Sequence, residues 1–119
     1  MSSCLYVALG GAIGSVARYL IGRIKINEST IFPYKTFAIN IIGSFLIGVV
    51  VVLVGKKSDM TPNMVLFLKV GICGGFTTFS TFALESVNLL QNGRIGCAVL
   101  YIFLSITASI TAIAIAQLF

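Results

Sequence analysis

The chain has 119 residues, of which 58% are hydrophobic and only 9% charged, with no histidine. Its mean hydropathy is +1.09, whereas about a quarter of the residues in an ordinary soluble domain are charged. A chain this apolar cannot cover its own surface with polar groups in water. That excludes a soluble globular enzyme and implies an all-α integral membrane protein of one domain, residues 1–119. Imidazole metal sites and histidine-based triads are absent. Cys4, Cys73 and Cys97 are widely spaced and odd in number, which fits reduced, small apolar side chains rather than a disulfide frame or a zinc site. The eight basic and three acidic residues fall mostly between apolar runs. They read as loop anchors, not as a nucleic-acid patch. No cleavable signal is expected, because the first apolar run has neither a basic leader nor a small-residue cleavage site.

Four runs reach the roughly 20 apolar residues that a bilayer core of about 30 Å requires. They span about 4–21, 36–54, 62–91 and 95–118. The first stays uncharged until Arg18, and the second and fourth carry no charge at all. Thr61-Pro62 opens the third as an N-cap followed by a first-turn proline, and Asn92-Gly93 ends it. Thirty residues as one helix would be about 45 Å long, too long for the core without a large tilt. The centre of this run reads Gly71-Ile72-Cys73-Gly74-Gly75-Phe76-Thr77-Thr78. Paired glycines followed by paired threonines are poor helix sequence, so the third helix is expected to break near Gly74–Thr78. Unwound backbone at that depth must be buried in protein or line a wet site. Its free carbonyls suit a cation, and half-helix N-termini suit an anion.

Polar residues recur at helical spacing within the spans. Thr36, Asn40 and Ser44 share one face, with Gly48 next along it, and Tyr101, Ser105 and Ser109 repeat the pattern in the fourth span. Phe79 and Phe82 stand one turn apart, with Ser80 and Thr81 between them. Each hydroxyl alone reads most simply as bonding back to the carbonyl four residues earlier, or as helix packing. Three such sets beside a broken helix are better explained by a permeation path. Hydroxyl and amide donors, with the positive edges of aromatic rings, suit a small anion. Glu85 fits a vestibule better than mid-pore. Arg18 reads as a snorkelling anchor, a lure for anions or a cap on a neighbouring helix, and Lys69 as an interfacial anchor. Gly10 and Gly14 offer a small-residue packing face. Basic residues divide as Arg23, Lys25, Lys35 and Arg94 on one side against Lys56 and Lys57, with Lys69, on the other. So small a bias leaves open both a single orientation and insertion both ways up as an antiparallel homodimer.

Three stretches carry a family resemblance: GGAIGSVARY at 10–19, NIIGSFLIG at 40–48 and GGFTTFSTF at 74–82. They resemble the bacterial fluoride channels of the CrcB/Fluc family over essentially the whole chain, with no departure at the motif positions. The resemblance implies a dual-topology antiparallel homodimer in the bacterial inner membrane, with lipid, fluoride and its own second copy as partners. It implies two fluoride-selective pores per dimer giving passive export, and a structural sodium ion held at the dimer centre by the carbonyls of Gly74 and Thr77, each contributed twice. The family's pore residues match Asn40, Phe79 and Phe82, and its hydroxyl track matches Ser80, Thr81, Tyr101, Ser105 and Ser109. The vestibule glutamate matches Glu85 and the first-helix arginine matches Arg18. A small multidrug antiporter would need a carboxylate in the first span, where none exists. A packing-only accessory subunit leaves the asparagine and phenylalanine constellation unexplained. A paired heterodimer is disfavoured by the complete set of pore motifs in this one chain.

Overall fold

The computed structural model describes residues 2–25, 31–56 and 59–118, and all the regular structure among them is helical. Lys57, Phe119 and residues 26–30 of the first loop lie outside the described residues. Four helical segments are long and apolar enough to cross a membrane: Ser2–Gly22, Tyr34–Lys56, Pro62–Gln91 and Ile95–Ala116. They are called spans 1 to 4 below.

Local chemistry explains the ends. Span 2 starts two residues ahead of the expected Thr36, because the Pro33 carbonyl accepts the Phe37 N–H at 3.1 Å and so opens the helix early. The Lys35 ammonium donates to the Gly22 carbonyl at 2.9 Å, which caps the end of span 1. Span 3 begins as its sequence predicts: Thr61 accepts the Met64 N–H, and Pro62 takes the first helical position. It ends at Gln91, and the chain then turns at Gly93, whose φ of 76° only glycine adopts without strain, with the Arg94 N–H reaching back to the Leu89 carbonyl at 2.8 Å.

Span 3 is interrupted, as expected, but the interruption is narrower than the sequence indicated. Gly74–Phe76 remains helical, and Thr77 (ψ 157°) and Thr78 (φ −147°, ψ 117°) alone are extended. The β-branched pair therefore carries the break while the glycines stay in the helix, where their lack of side chains serves packing. A second half-helix then runs from Phe79 to Gln91. Ahead of the break, Leu66–Cys73 is wound as a π-helix, a widened form that the composition did not signal.

The leading half of span 3 lies directly on span 1. A Cβ on Gly14 would sit 2.8 Å from the Phe76 nitrogen, one on Gly71 2.8 Å from Gly10 Cα, and one on Gly75 2.7 Å from the Gly11 carbonyl oxygen. Backbone meets backbone along this crossing, so no larger residue fits. Spans 2 and 4 pack together in the same way where Gly48 faces Ala116. Gly43 of span 2 receives the Thr77 methyl and the Phe76 ring at the break. The trailing half of span 3 closes on span 4 through Phe82, Leu89, Ala98 and Tyr101, and Phe32 from the loop sets its ring edge-on to Tyr101 at 5.4 Å. Leu5, Leu9 and Ile13 on span 1, and Phe103, Ile106 and Ile110 on span 4, face outward, where lipid or another protein must meet them.

The crossing can be tested directly. Gly14→Ala should cost roughly 1–3 kcal/mol, because the atoms in its way are backbone and cannot turn aside. Gly55→Ala, which meets nothing within 4 Å, should change stability by less than about 0.5 kcal/mol. Equilibrium unfolding in mixed micelles measures both, and equal effects would contradict the packing described.

Candidate functional site

The break in span 3 is held from three sides. Within the span, the Thr77 N–H and hydroxyl both donate to the Cys73 carbonyl, at 3.1 and 2.9 Å. Thr78 is the N-cap of the trailing half: its hydroxyl oxygen accepts the Thr81 N–H at 3.2 Å and its proton goes to Thr81 Oγ1 at 3.0 Å. From span 2, Asn40 makes two bonds to one residue. Its Nδ2 donates to the Thr78 carbonyl at 3.1 Å, and its Oδ1 accepts the Thr78 N–H at 2.9 Å. From span 1, Arg18 Nε donates to the Gly75 carbonyl at 3.2 Å. Of the roles weighed for Arg18, this contact is the cap on a neighbouring helix's C-terminal turn, where the helix dipole favours a cation.

Beside the break lies a cavity of about 430 Å³, walled by Asn40, Gly43, Ser44 and Ile47 of span 2, residues 73–74, 77–79 and 82 of span 3, and Ser105, Ile106, Ser109, Ile110 and Ile113 of span 4. None of these lining residues carries a charge. The three polar positions that recur at spacing four in span 4 divide here. Ser109 and Ser105 line the cavity, while Tyr101 is fully buried beyond it. Ser105 is only 6% exposed, and its hydroxyl has no hydrogen-bond partner. Ser15 and Ser86 follow the usual pattern instead, donating to the Gly11 and Phe82 carbonyls at 2.7 and 2.8 Å. Ser105 thus holds a buried hydroxyl with no hydrogen-bond partner beside the cavity. Phe79 forms the outer lip at 79% exposure, and its ring lies 5.7 Å from that of Phe82.

Behind Phe82 the lining changes character. The Tyr101 ring is 5.1 Å from Phe82, and its hydroxyl donates to Glu85 Oε1 at 2.9 Å. Thr36 donates to the other carboxylate oxygen, Oε2, at 3.1 Å. Glu85 also borders a second, polar hollow of about 520 Å³, lined by Ile31, Pro33, Asn88, Leu89, Asn92 and Arg94. Two hollows thus lie on either side of an aromatic partition, the inner one uncharged and the outer one carrying an acid and a base.

The structure brings Asn40, Phe79, Phe82, Ser105 and Ser109 to one cavity, together with Gly74 and Thr77. Ser80 and Thr81 are not in its lining: Ser80 is exposed, and Thr81 is engaged with the Thr78 cap. Glu85 lies apart from the cavity lining, at the outer hollow. Thr78 carries the most polar bonds at the break, yet it drew no attention in the sequence beyond marking the break. A threonine just ahead of an apolar helical run is an N-cap signal that could have singled it out. Among the described residues, no cluster of three or more acidic or cysteine side chains could hold a metal.

Comparison with known proteins gives one consistent answer. Residues 5–117 match the family of CrcB-like proteins, Camphor Resistance (CrcB). A protein of Agrobacterium fabrum named fluoride-specific ion channel FluC is 46% identical over 114 residues, covering 95% of this chain and 91% of that protein. Proteins of the same name from Flavobacterium psychrophilum (45% over 114 residues, 94% and 91% coverage) and Bacteroides fragilis (43% over 118 residues, 95% and 91%) are similar over the same extent. These relatives are named as channels, not as enzymes. With four apolar spans and a match across nearly its whole length, this chain belongs to the CrcB family of multi-pass membrane proteins.

Proposed function

We propose that the protein is a fluoride-selective channel of the bacterial inner membrane, giving passive, electrodiffusive export of fluoride. The observation that carries this reading is the inner cavity: uncharged, bordered by the Phe79–Phe82 pair, and holding a buried Ser105 hydroxyl with no partner. A buried donor left unpaired costs about 1–3 kcal/mol, which an acceptor anion in the cavity would offset. Fluoride is the smallest halide and the most strongly hydrated. Its water shell must be replaced by closely placed donors, as in any selective filter. Ser105 and Ser109 supply hydroxyls one turn, about 6 Å, apart along span 4, and Ser44 adds one from span 2. The ring edges of Phe79 and Phe82 add weak positive potential without a fixed charge that would trap the ion. The names of the relatives point to the same anion.

Glu85 and Arg94 border the outer hollow, where an ion arrives still hydrated. Thr36 and Tyr101 each donate to one of the two carboxylate oxygens, which holds the acid in place at this hollow. Hydrogen fluoride enters cells as a neutral acid and ionises in the more alkaline cytoplasm. A membrane potential negative inside then drives the trapped anion out, at about 2.3 kcal/mol per charge per 100 mV. Nothing in this scheme requires ATP or a coupled proton.

The reading includes an antiparallel homodimer. The cavity lip at Phe79 faces outward from the single chain, and polar cavity walls open to lipid would be costly. A second copy covers them and doubles the pore. The near-even division of basic residues between the two sides permits opposite orientations. A structural sodium ion at the dimer centre fits the donors available, since Gly74 and Thr77 lie where helical bonding is interrupted and Gly74 is exposed. Two carbonyls per chain give four per dimer, a hard-oxygen set suited to an alkali cation. When bound, the ion would tie the two broken helices together.

Liposomes loaded with potassium fluoride and carrying the purified protein should release fluoride on addition of valinomycin, as read with a fluoride electrode, and chloride-loaded liposomes should release nothing. Phe79→Ile should abolish release. Ser105→Ala should slow it roughly tenfold, the weight of one charge-assisted hydrogen bond. Equal chloride release, or a Ser105→Ala protein with unchanged fluoride flux, would contradict the assignment.

A further inference from the structure

Asn40 was expected to be a pore ligand, yet most of its amide is committed elsewhere. Its oxygen is taken by the Thr78 N–H, and its nitrogen donates to the Thr78 carbonyl. In an unbroken α-helix the residue 78 N–H would bond the residue 74 carbonyl, and the residue 81 N–H would bond the residue 77 carbonyl. Here the Thr78 N–H goes to Asn40 Oδ1, and the Thr81 N–H goes to Thr78 Oγ1. Those two diversions release the carbonyls of Gly74 and Thr77 from their helical partners. Freed carbonyls in a low-dielectric setting are ligands for a hard cation.

We propose that Asn40 is the positioning residue of the central cation site: by clamping both backbone groups of Thr78, it frees the Gly74 carbonyl and fixes the turn that presents it. Asn40 then acts on the cation through Thr78 and Gly74, without touching it. One N–H of its amide is left to face the cavity that Asn40 also lines, so the same side chain couples cation site and pore wall. The inference rests on the cation reading above, and the test separates the two.

The readout is thermal unfolding of the purified full-length protein in sodium chloride against potassium chloride at equal ionic strength, titrated to a half-maximal sodium concentration. Wild type should be stabilised by sodium. Asn40→Ala, and Asn40→Ser with a side chain too short to reach both Thr78 groups, should need roughly 10–100-fold more sodium, the usual effect of losing a group that orients metal ligands. Ser109→Ala, a cavity-wall change on span 4 that touches none of the hydrogen bonds at Thr78, should keep the wild-type sodium response even if its fluoride flux falls. If wild type shows no sodium-specific stabilisation, the cation reading fails and this inference falls with it. If wild type responds and both Asn40 variants respond equally well, the cation reading stands and the positioning role is overturned, leaving Asn40 as a pore residue only. Two substitutions of different severity keep the comparison available should Asn40→Ala fail to fold.

Discussion

Everything distinctive about this molecule depends on breaking a helix in the middle of a membrane and satisfying the exposed backbone from within the protein. Lipid cannot supply the missing hydrogen bonds, and each unsatisfied group there costs several kcal/mol. The chain meets that cost with four side chains from three spans. Asn40 takes both backbone groups of Thr78, Arg18 takes the Gly75 carbonyl, Thr77 turns back on Cys73, and Thr78 caps the next helix. Each of these residues lies outside the usual economy of a lipid-buried helix. Their presence follows from the break, and the break in turn places a cavity, a half-helix N-terminus and freed carbonyls at one depth.

Holding that arrangement requires close packing, because between apolar helices in lipid there is little hydrophobic driving force to exploit. The glycines provide the closeness. Gly10, Gly14, Gly71 and Gly75 let spans 1 and 3 touch backbone to backbone, and Gly43 leaves room for the Thr77 methyl. Span 1 is thereby near enough for Arg18 to reach Gly75, and span 2 near enough for Asn40 to reach Thr78. Packing and polar satisfaction are the same design viewed at two scales. The aromatic series Phe32, Tyr101, Phe82, Phe79 then runs from the loop to the cavity lip through contacts of 5.4, 5.1 and 5.7 Å. It separates an outer hollow that contains charge from an inner one that does not.

Much of this was legible in the residues. Hydropathy located the four spans, and Thr61-Pro62 and Asn92-Gly93 marked the ends of the third, because caps and breakers act locally. The break was legible as a clash between required length and poor helix composition. Its exact residues were not: which of Gly74–Thr78 leaves the helix depends on Asn40, 38 residues away in sequence from Thr78. The polar stripes were found, but their meaning divided on folding. Ser105 and Ser109 reached the cavity, whereas Tyr101 turned to Glu85 with Thr36, a contact no helical periodicity contains. The π-helix of Leu66–Cys73 left no compositional trace. Arg18 could be assigned several roles from its place in the chain, and its bond to the Gly75 carbonyl, 57 residues away, was visible only in the folded chain.

The central claim is that an uncharged, hydroxyl-lined path beside a broken helix conducts fluoride in preference to other halides. The most direct measurement is the reversal potential of current through the protein in a planar bilayer, with fluoride on one side and chloride on the other. The account predicts a reversal potential that tracks the fluoride gradient alone and does not move as chloride is varied. A potential that shifts with chloride, or that follows the cation gradient, would contradict it.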